Sequence, residues 1–210
     1  MAKALLLNGS PNAKGCTYTA LREIADVLEK EGMETHIVQV GTAAVRGCLA
    51  CGYCSTGNGC ILDDLVNEVR DSFAEADALI IGSPVYYGSP NGNLISFLDR
   101  LFYSKGDIDC RMKVGASVVT CRRSGNTDSF DVLNKYFTIS QMPIASANYW
   151  NNVHGFEAED VLKDKEGLQT LRTLARNVAF LVRAIADAKE KYGLPEKEYV
   201  REFTSFSDGK

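Results

Sequence analysis

The chain has no cluster of basic residues, no repeat, no low-complexity stretch and no Gly/Ser-rich linker. The absence of basic runs, with a formal net charge of −4, excludes a general nucleic-acid or anionic-membrane binder. The one apolar run near the start, Ala4 to Leu7, is too brief for a signal peptide or for a membrane span, which needs about 20 apolar residues. The expected location is therefore the cytoplasm, away from any membrane. There are only two histidines, His36 and His154. Neither belongs to a Ser–His–Asp or Cys–His arrangement, so no side chain is assigned as a catalyst. With no linker in 210 residues, one domain over residues 1–195 and a polar tail over 196–210 are expected.

What is present is an alternation of strand-like and helix-like segments. Hydrophobic residues make up 45% of the chain, enough for a sizeable core. Strands are expected at Ala4–Asn8, Glu34–Val40, Ala78–Ser83, Lys113–Thr120 and, more weakly, Pro143–Ala147. Helices are expected at Thr17–Glu31, Leu65–Ala76, Gly92–Phe102, Ser129–Ile139 and Lys165–Tyr192, where apolar residues recur every three or four positions. This order predicts an α/β fold, a doubly wound sheet of five parallel strands with helices on both faces. Such sheets bind ligands beyond the carboxyl ends of their strands, so the loops after strands one, three and four carry the interest.

The first loop, Asn8 to Thr17, is rich in Gly, Ser, Thr and Asn and opens a helix. Free N–H groups and a positive dipole end there suit a phosphate. Ser10 and Thr17 add hydroxyls, and Lys14 is the one nearby cation. The alternative is an ordinary strand-to-helix turn; neither a Walker loop nor a GxGxxG is present. The loop Ser83 to Pro90 places Pro84, Val85, Tyr86, Tyr87 and Gly88 after a buried strand. Its tyrosines offer flat walls for a ring system, or else they cap the core. The loop Thr120 to Thr127 brings Arg122 and Arg123 beside Ser124 and Gly125, facing a charged ligand or merely solvated.

Seven cysteines in a reducing compartment do not read as a disulfide framework, and an odd number cannot pair fully. Cys48, Cys51, Cys54 and Cys60 follow a C-x2-C-x2-C-x5-C spacing. It approaches the ferredoxin type of iron–sulfur ligation. Zinc fits less well, since structural zinc favours two separated pairs, and a loop without metal stays open. Cys16, Cys110 and Cys121 read as small buried hydrophobes. Asp63-Asp64 reads as a helix cap, Asp99-Arg100 as an ion pair, and the long Tyr149–Phe156 segment as interface packing or a cover over a neighbouring site.

Four segments occurring in order carry a resemblance. They are Asn8-Gly-Ser-Pro with Gly-Cys-Thr17, Cys48-Leu-Ala-Cys-Gly-Tyr-Cys54 with Cys60-Ile-Leu-Asp-Asp64, Ala76 through Gly88, and Phe97-Leu-Asp-Arg100. Over about residues 3–190 the chain resembles the NADPH-dependent FMN reductase family, and its cysteine loop is most similar to that of the iron–sulfur flavoproteins. The resemblance implies a flavodoxin-like FMN-binding domain. The phosphate would sit at Ser10, Asn12, Gly15, Cys16 and Thr17. The ring would sit against Pro84, Val85, Tyr86, Tyr87 and Gly88, with Ser124 and Gly125, and Arg122 as a cation beside the flavin. Many relatives have Arg or Lys where Asn12 stands and Asn where Cys16 stands, so backbone N–H groups would carry more of the phosphate here.

The implied activity is FMN-dependent oxidoreduction, with NAD(P)H as donor and a flavin, quinone or similar small molecule as acceptor. Two alternatives are carried. One is single-electron exchange between FMN and a [4Fe–4S] cluster on Cys48, Cys51, Cys54 and Cys60, supplied by a ferredoxin-like donor. The other is a non-enzymatic redox-sensing or binding module. A homodimer or homotetramer is expected, because an FMN site at a sheet edge is shallow.

Overall fold

The computed structural model describes residues 1–198, so most of the expected tail at 196–210 lies outside the described residues. Along the chain run β1 (Lys3–Asn8), α1 (Cys16–Lys30), β2 (Glu34–Gln39), a 3-10 turn (Tyr53–Thr56), α2 (Leu65–Glu75), β3 (Ala78–Tyr86) and β4 (Ser89–Pro90). There follow α3 (Gly92–Tyr103), β5 (Val114–Cys121), α4 (Asn126–Ile139), β6 (Asn152–His154), α5 (Ala158–Val161) and α6 (Lys165–Tyr192). Five strands lie parallel in the order β2-β1-β3-β5-β6, and β4 turns back antiparallel on β3. The doubly wound α/β sheet read from the sequence is thus the observed one.

The central strands are buried and mainly apolar because both faces are covered. Leu6, Ile80, Ala116 and Val118 point to α1 and α6, where Leu21, Ile24, Leu171 and Val178 meet them. Leu5, Leu7, Leu79 and Ile81 point the other way, to Val66, Phe73, Phe97 and Leu98 of α2 and α3. Each such buried side chain contributes ~1.5–3 kcal/mol relative to exposure. The two cores fix the sheet rigidly, and everything that follows depends on the loops at its carboxyl edge.

Two expectations need correction there. The third strand does not stop at Ser83. It continues to Tyr86 and returns through a two-residue turn, Tyr87-Gly88, with both residues at positive φ (51° and 73°). That is the geometry a tight hairpin requires, and it throws the Tyr87 side chain outward at the tip. The fifth strand is broken. At Pro143–Ala145 there is only one bridge, Gly115 with Ile144, and the ladder resumes at Asn152–His154 opposite Val119–Cys121. Pro143 offers only its carbonyl, and the chain leaves the sheet between the two pieces, carrying Tyr149 and Trp150 into solvent.

Candidate functional site

A cleft of about 610 Å³ opens at the carboxyl ends of β1, β3 and β5. Its floor is the start of α1. Gly15 is the N-cap, no side chain caps the helix, and its first turn holds no acid. The leading N–H groups therefore face the cleft with no side-chain acceptor. The loop before the helix is held by its own side chains. Asn8 accepts from the Ser10 N–H (3.1 Å), Ser10 Oγ accepts from the Asn12 N–H (3.1 Å), and Gln39 Nε2 donates to the Ser10 carbonyl (2.6 Å). Thr17 is buried, and its hydroxyl lies 2.9 Å from that of Thr120, which ties α1 to the end of β5.

Ser10, Asn12, Gly15, Cys16, Thr17, Pro84, Val85, Tyr86 and Arg122 all line this one cleft, although they come from three separate loops. Four other expected residues do not line it. Tyr87 is fully exposed (108%, against 47% for Tyr86), because it sits at the hairpin tip. Ser124 is exposed outside the cleft, while Gly88 and Gly125 back its wall. Gly125, at φ 86°, backs so closely on Val85 and Gly88 that a Cβ would come within 2.9 Å of both. The two glycines shape the wall rather than face the cleft.

Sequence reading missed the far side. Thr120 and Cys121 line the cleft from β5, and Gly155 to Glu159 form the opposite rim, with Phe156, Glu157 and Glu159. The only signal for this rim was the unusual length of the segment before the last helix. Its carboxylates have an electrostatic effect. Burial pushes the Cys16 thiol up, a backbone hydrogen bond opposes it, and Asp160, Glu159 and Glu157 add to the upward shift. Burial likewise raises the Cys121 thiol. Cys121 is buried as expected of a small hydrophobe, whereas Cys16 is only half-buried and lines the cleft.

The four-cysteine loop leaves β2 at Gly41, which packs so tightly on the first loop that a Cβ would fall 2.1 Å from the Ser10 carbonyl oxygen. The Asn93 amide of α3 then holds the chain by the carbonyls of Val40 and Ala43 (3.3 and 2.5 Å). Both ends of the cysteine segment are then held by Arg100, also on α3 and 1% exposed. Its Nη1 donates to the Arg46 carbonyl (3.2 Å) and to Asp64 Oδ2 (2.6 Å). Nη2 donates to Asp64 Oδ1 (2.9 Å), the Leu62 carbonyl (3.2 Å) and Cys60 Sγ (3.2 Å), while Nε donates to the same sulfur at 3.3 Å. Burial alone would lower this guanidinium's pKa, but Asp64 and Cys60 outweigh it and the net shift is upward. Asn67 of α2 completes the hold, accepting from the Cys60 N–H and donating to its carbonyl, both at 2.9 Å.

The Asp99-Arg100 ion pair is thus corrected. Neighbours on a helix point about 100° apart and cannot face each other. Arg100 turns inward to Asp64, and Asp99 turns outward to accept from the Tyr136 hydroxyl at 2.5 Å. Asp64 does cap α2 as expected, accepting from the Val66 N–H at 3.1 Å.

Cys48, Cys51, Cys54 and Cys60 line one pocket, with Leu49, Ile61, Leu62, Arg100, Tyr103 and Ser104. Among the described residues no three His, Cys, Asp or Glu converge on a point that could hold a single ion. The pocket in this conformation measures about 20 Å³, the room of one water. The donor set nonetheless suits iron and sulfur. Cys60 receives two N–H bonds from a cation, as a ligating thiolate would, and the Ala50 N–H lies 3.4 Å from Cys48 Sγ. Cys48 and Cys51 stand exposed on the outer arm, which Gly52 and Gly57 turn at positive φ, while Cys60 is held by Arg100 and Asn67. No residue lines both this pocket and the large cleft. Arg100 lies nine positions along α3 from its cap at Asn91, about 14 Å at 1.5 Å per residue.

The comparisons with known proteins agree with this arrangement. The model of the NADPH-dependent FMN reductase family matches residues 2–157. An iron–sulfur flavoprotein of Methanocaldococcus jannaschii is 30% identical over 190 residues, which cover 87% of this chain and 98% of that protein. One from Methanosarcina thermophila is 25% identical over 188 residues, 88% of this chain and 97% of that one. Among solved structures, RosB bound to 8-demethyl-8-formylriboflavin-5′-phosphate superposes with a TM-score of 0.72 at 17% identity, covering 99% of this chain and 92% of its own. An archaeal flavodoxin gives 0.59 at 15% identity, covering 87% and 99%. With its flavodoxin-like sheet and its cleft at the switch point of strand order, the chain belongs to the NADPH-dependent FMN reductase family and is an FMN-dependent oxidoreductase.

Proposed function

We propose that the chain binds one FMN in the 610 Å³ cleft and uses it to move electrons from NAD(P)H to a small acceptor such as a flavin or quinone. The volume falls in the range of about 300–1,000 Å³ usual for cofactor clefts. The observation that carries the proposal is the uncapped start of α1 opening onto the same space as the ends of β3 and β5. The phosphate is bound by the leading N–H groups of α1 with Ser10 and Thr17, and Lys14 and Arg122 are the cations on the cleft wall. Pro84, Val85 and Tyr86 flank the ring. Bound FMN supplies the hydride- and electron-accepting chemistry, and the protein supplies binding, orientation and exclusion of water. The test is anaerobic mixing of the FMN-loaded protein with NADPH and, separately, NADH. Bleaching of the flavin absorbance by either supports the reading, and no bleaching by both contradicts it.

A second reading is favoured by the Arg100–Cys60 contact. In it, Cys48, Cys51, Cys54 and Cys60 hold a [4Fe–4S] cluster that exchanges single electrons with a ferredoxin-like donor. Each thiolate binds its own corner of such a group, so the ligands need not converge on one ion. Seating it requires outward movement of the exposed 48–54 arm. All seven cysteines are free, which suits a reducing cytoplasm. The exposed Tyr87, Tyr149, Trp150 and Phe156 suit contact with a second copy of the chain. Light scattering at micromolar concentration should give a dimer or larger, and a monomer would count against it.

A further inference from the structure

The cysteine pocket contains one polar group that nothing accounts for. Ser104 is 2% exposed, lines the pocket with the four cysteines, and its hydroxyl has no hydrogen-bond partner among the described residues. A serine in the last turn of a helix commonly bonds back to the carbonyl four residues earlier. Here the Arg100 carbonyl takes the Ser104 N–H at 2.8 Å, but the hydroxyl does not join it and has no other partner among the described residues. A buried hydroxyl without a partner is costly and rare, and points to a partner outside the protein.

Ser104 stands four positions after Arg100, on the same face of α3. The pair therefore presents two different donors to one pocket, a charged guanidinium already on Cys60 Sγ and a neutral hydroxyl still open. The remaining wall on this side, Leu49, Ile61, Leu62 and the exposed Tyr103, offers no other side-chain donor buried in the pocket.

We propose that Ser104 is a positioning and tuning residue that donates its hydroxyl to a sulfur of the iron–sulfur group held by Cys48, Cys51, Cys54 and Cys60. The proposal rests on the cluster reading above. A hydrogen bond to a cluster sulfur stabilises the added negative charge of the reduced group, so it raises the reduction potential. Arg100 acts in the same direction from the side of Cys60.

The experiment is anaerobic reconstitution of full-length wild type, Ser104→Ala and Ser104→Thr with iron and sulfide. Iron content, thermal melts before and after loading, and the cluster midpoint potential by dye-mediated titration are then measured. The expected result is equal iron in all three, a midpoint shifted to more negative potential in Ser104→Ala, and a return toward wild type in Ser104→Thr. Before loading, Ser104→Ala should melt at or above wild type, because it removes an unpartnered polar group. Equal potentials in wild type and Ser104→Ala at equal iron overturn the role of Ser104 and leave the cluster reading intact. A lower melt of unloaded Ser104→Ala overturns it too, by showing a partner within the protein. If wild type takes up no iron, both readings fall.

Discussion

Replacing Arg100 by Met should cost about 3 kcal/mol of folding stability. Met keeps most of the apolar stem and the volume, so the loss isolates the guanidinium. Removing one member of a buried ion pair costs about 3–5 kcal/mol, because the other charge is stranded. Here the stranded group is Asp64, which is 24% exposed and keeps its bond to the Val66 N–H, so water reaches it and the lower end applies. The Leu62 carbonyl keeps a second donor in Asn67 Nδ2, and Arg46 is exposed, so neither adds a large further cost. For a chain of this size about 3 kcal/mol corresponds to a fall in Tm of roughly 6–12 °C. Urea unfolding followed by far-UV circular dichroism gives the first quantity, and a thermal melt the second. Arg100→Lys should fall between, since one ammonium cannot serve Asp64, Cys60 and the Arg46 carbonyl together. A loss below about 1 kcal/mol in Arg100→Met would refute the view that Arg100 clamps both ends of the cysteine loop.

The two tyrosines at the hairpin should separate. Tyr86→Ala should weaken FMN binding about 2- to 10-fold by equilibrium titration, from an aromatic contact worth ~0.5–1.5 kcal/mol beyond its area. Tyr87→Ala should leave affinity unchanged because that side chain lies outside the cleft; equal effects from both would contradict the placement. At the opposite end of the sheet, the Arg111 guanidinium bonded to Asp109 holds its carboxyl down at about 2, against burial that would raise it. A depressed carboxyl stabilises the fold above its ordinary value near 3.8 and loses that contribution as pH falls toward 2. Asp109→Asn should therefore unfold at lower urea than wild type at pH 6, with the gap narrowing below the ordinary value and closing as pH falls through about 2; a gap independent of pH would refute it.

Much of the fold was legible because buried parallel strands and amphipathic helices write simple periods. The runs at Ala4–Asn8 and Ala78–Ser83 and the stripe from Leu168 to Val182 fell where expected. Pro143–Ala147 misled because an edge strand needs little pairing, and here the chain pairs, leaves and returns at Asn152. In the cleft, nine of the thirteen expected residues share one space. The others lie outside that space for local backbone reasons, as at Tyr87, where positive φ points the ring into solvent. Arg100 and Ser104 were not legible as pocket residues. Their meaning comes from which face of α3 packs on the cysteine loop, and no short-range pattern encodes that. The Gly155–Glu159 rim was signalled only by the length of its segment, since it reaches the cleft through the pairing of β6 with β5.

We hold that one chain carries FMN in the cleft and, on the second reading, a separate iron–sulfur group on the cysteine loop. This is tested most directly by protein purified without oxygen, with flavin, iron and sulfide each measured per chain and the extracted flavin identified by chromatography. One FMN, about four irons and about four sulfides per chain are expected, with Cys51→Ser losing the iron and keeping the FMN. FAD in place of FMN, or no flavin even after soaking with FMN, would contradict the FMN site, and wild type holding no more iron than Cys51→Ser would contradict the cluster.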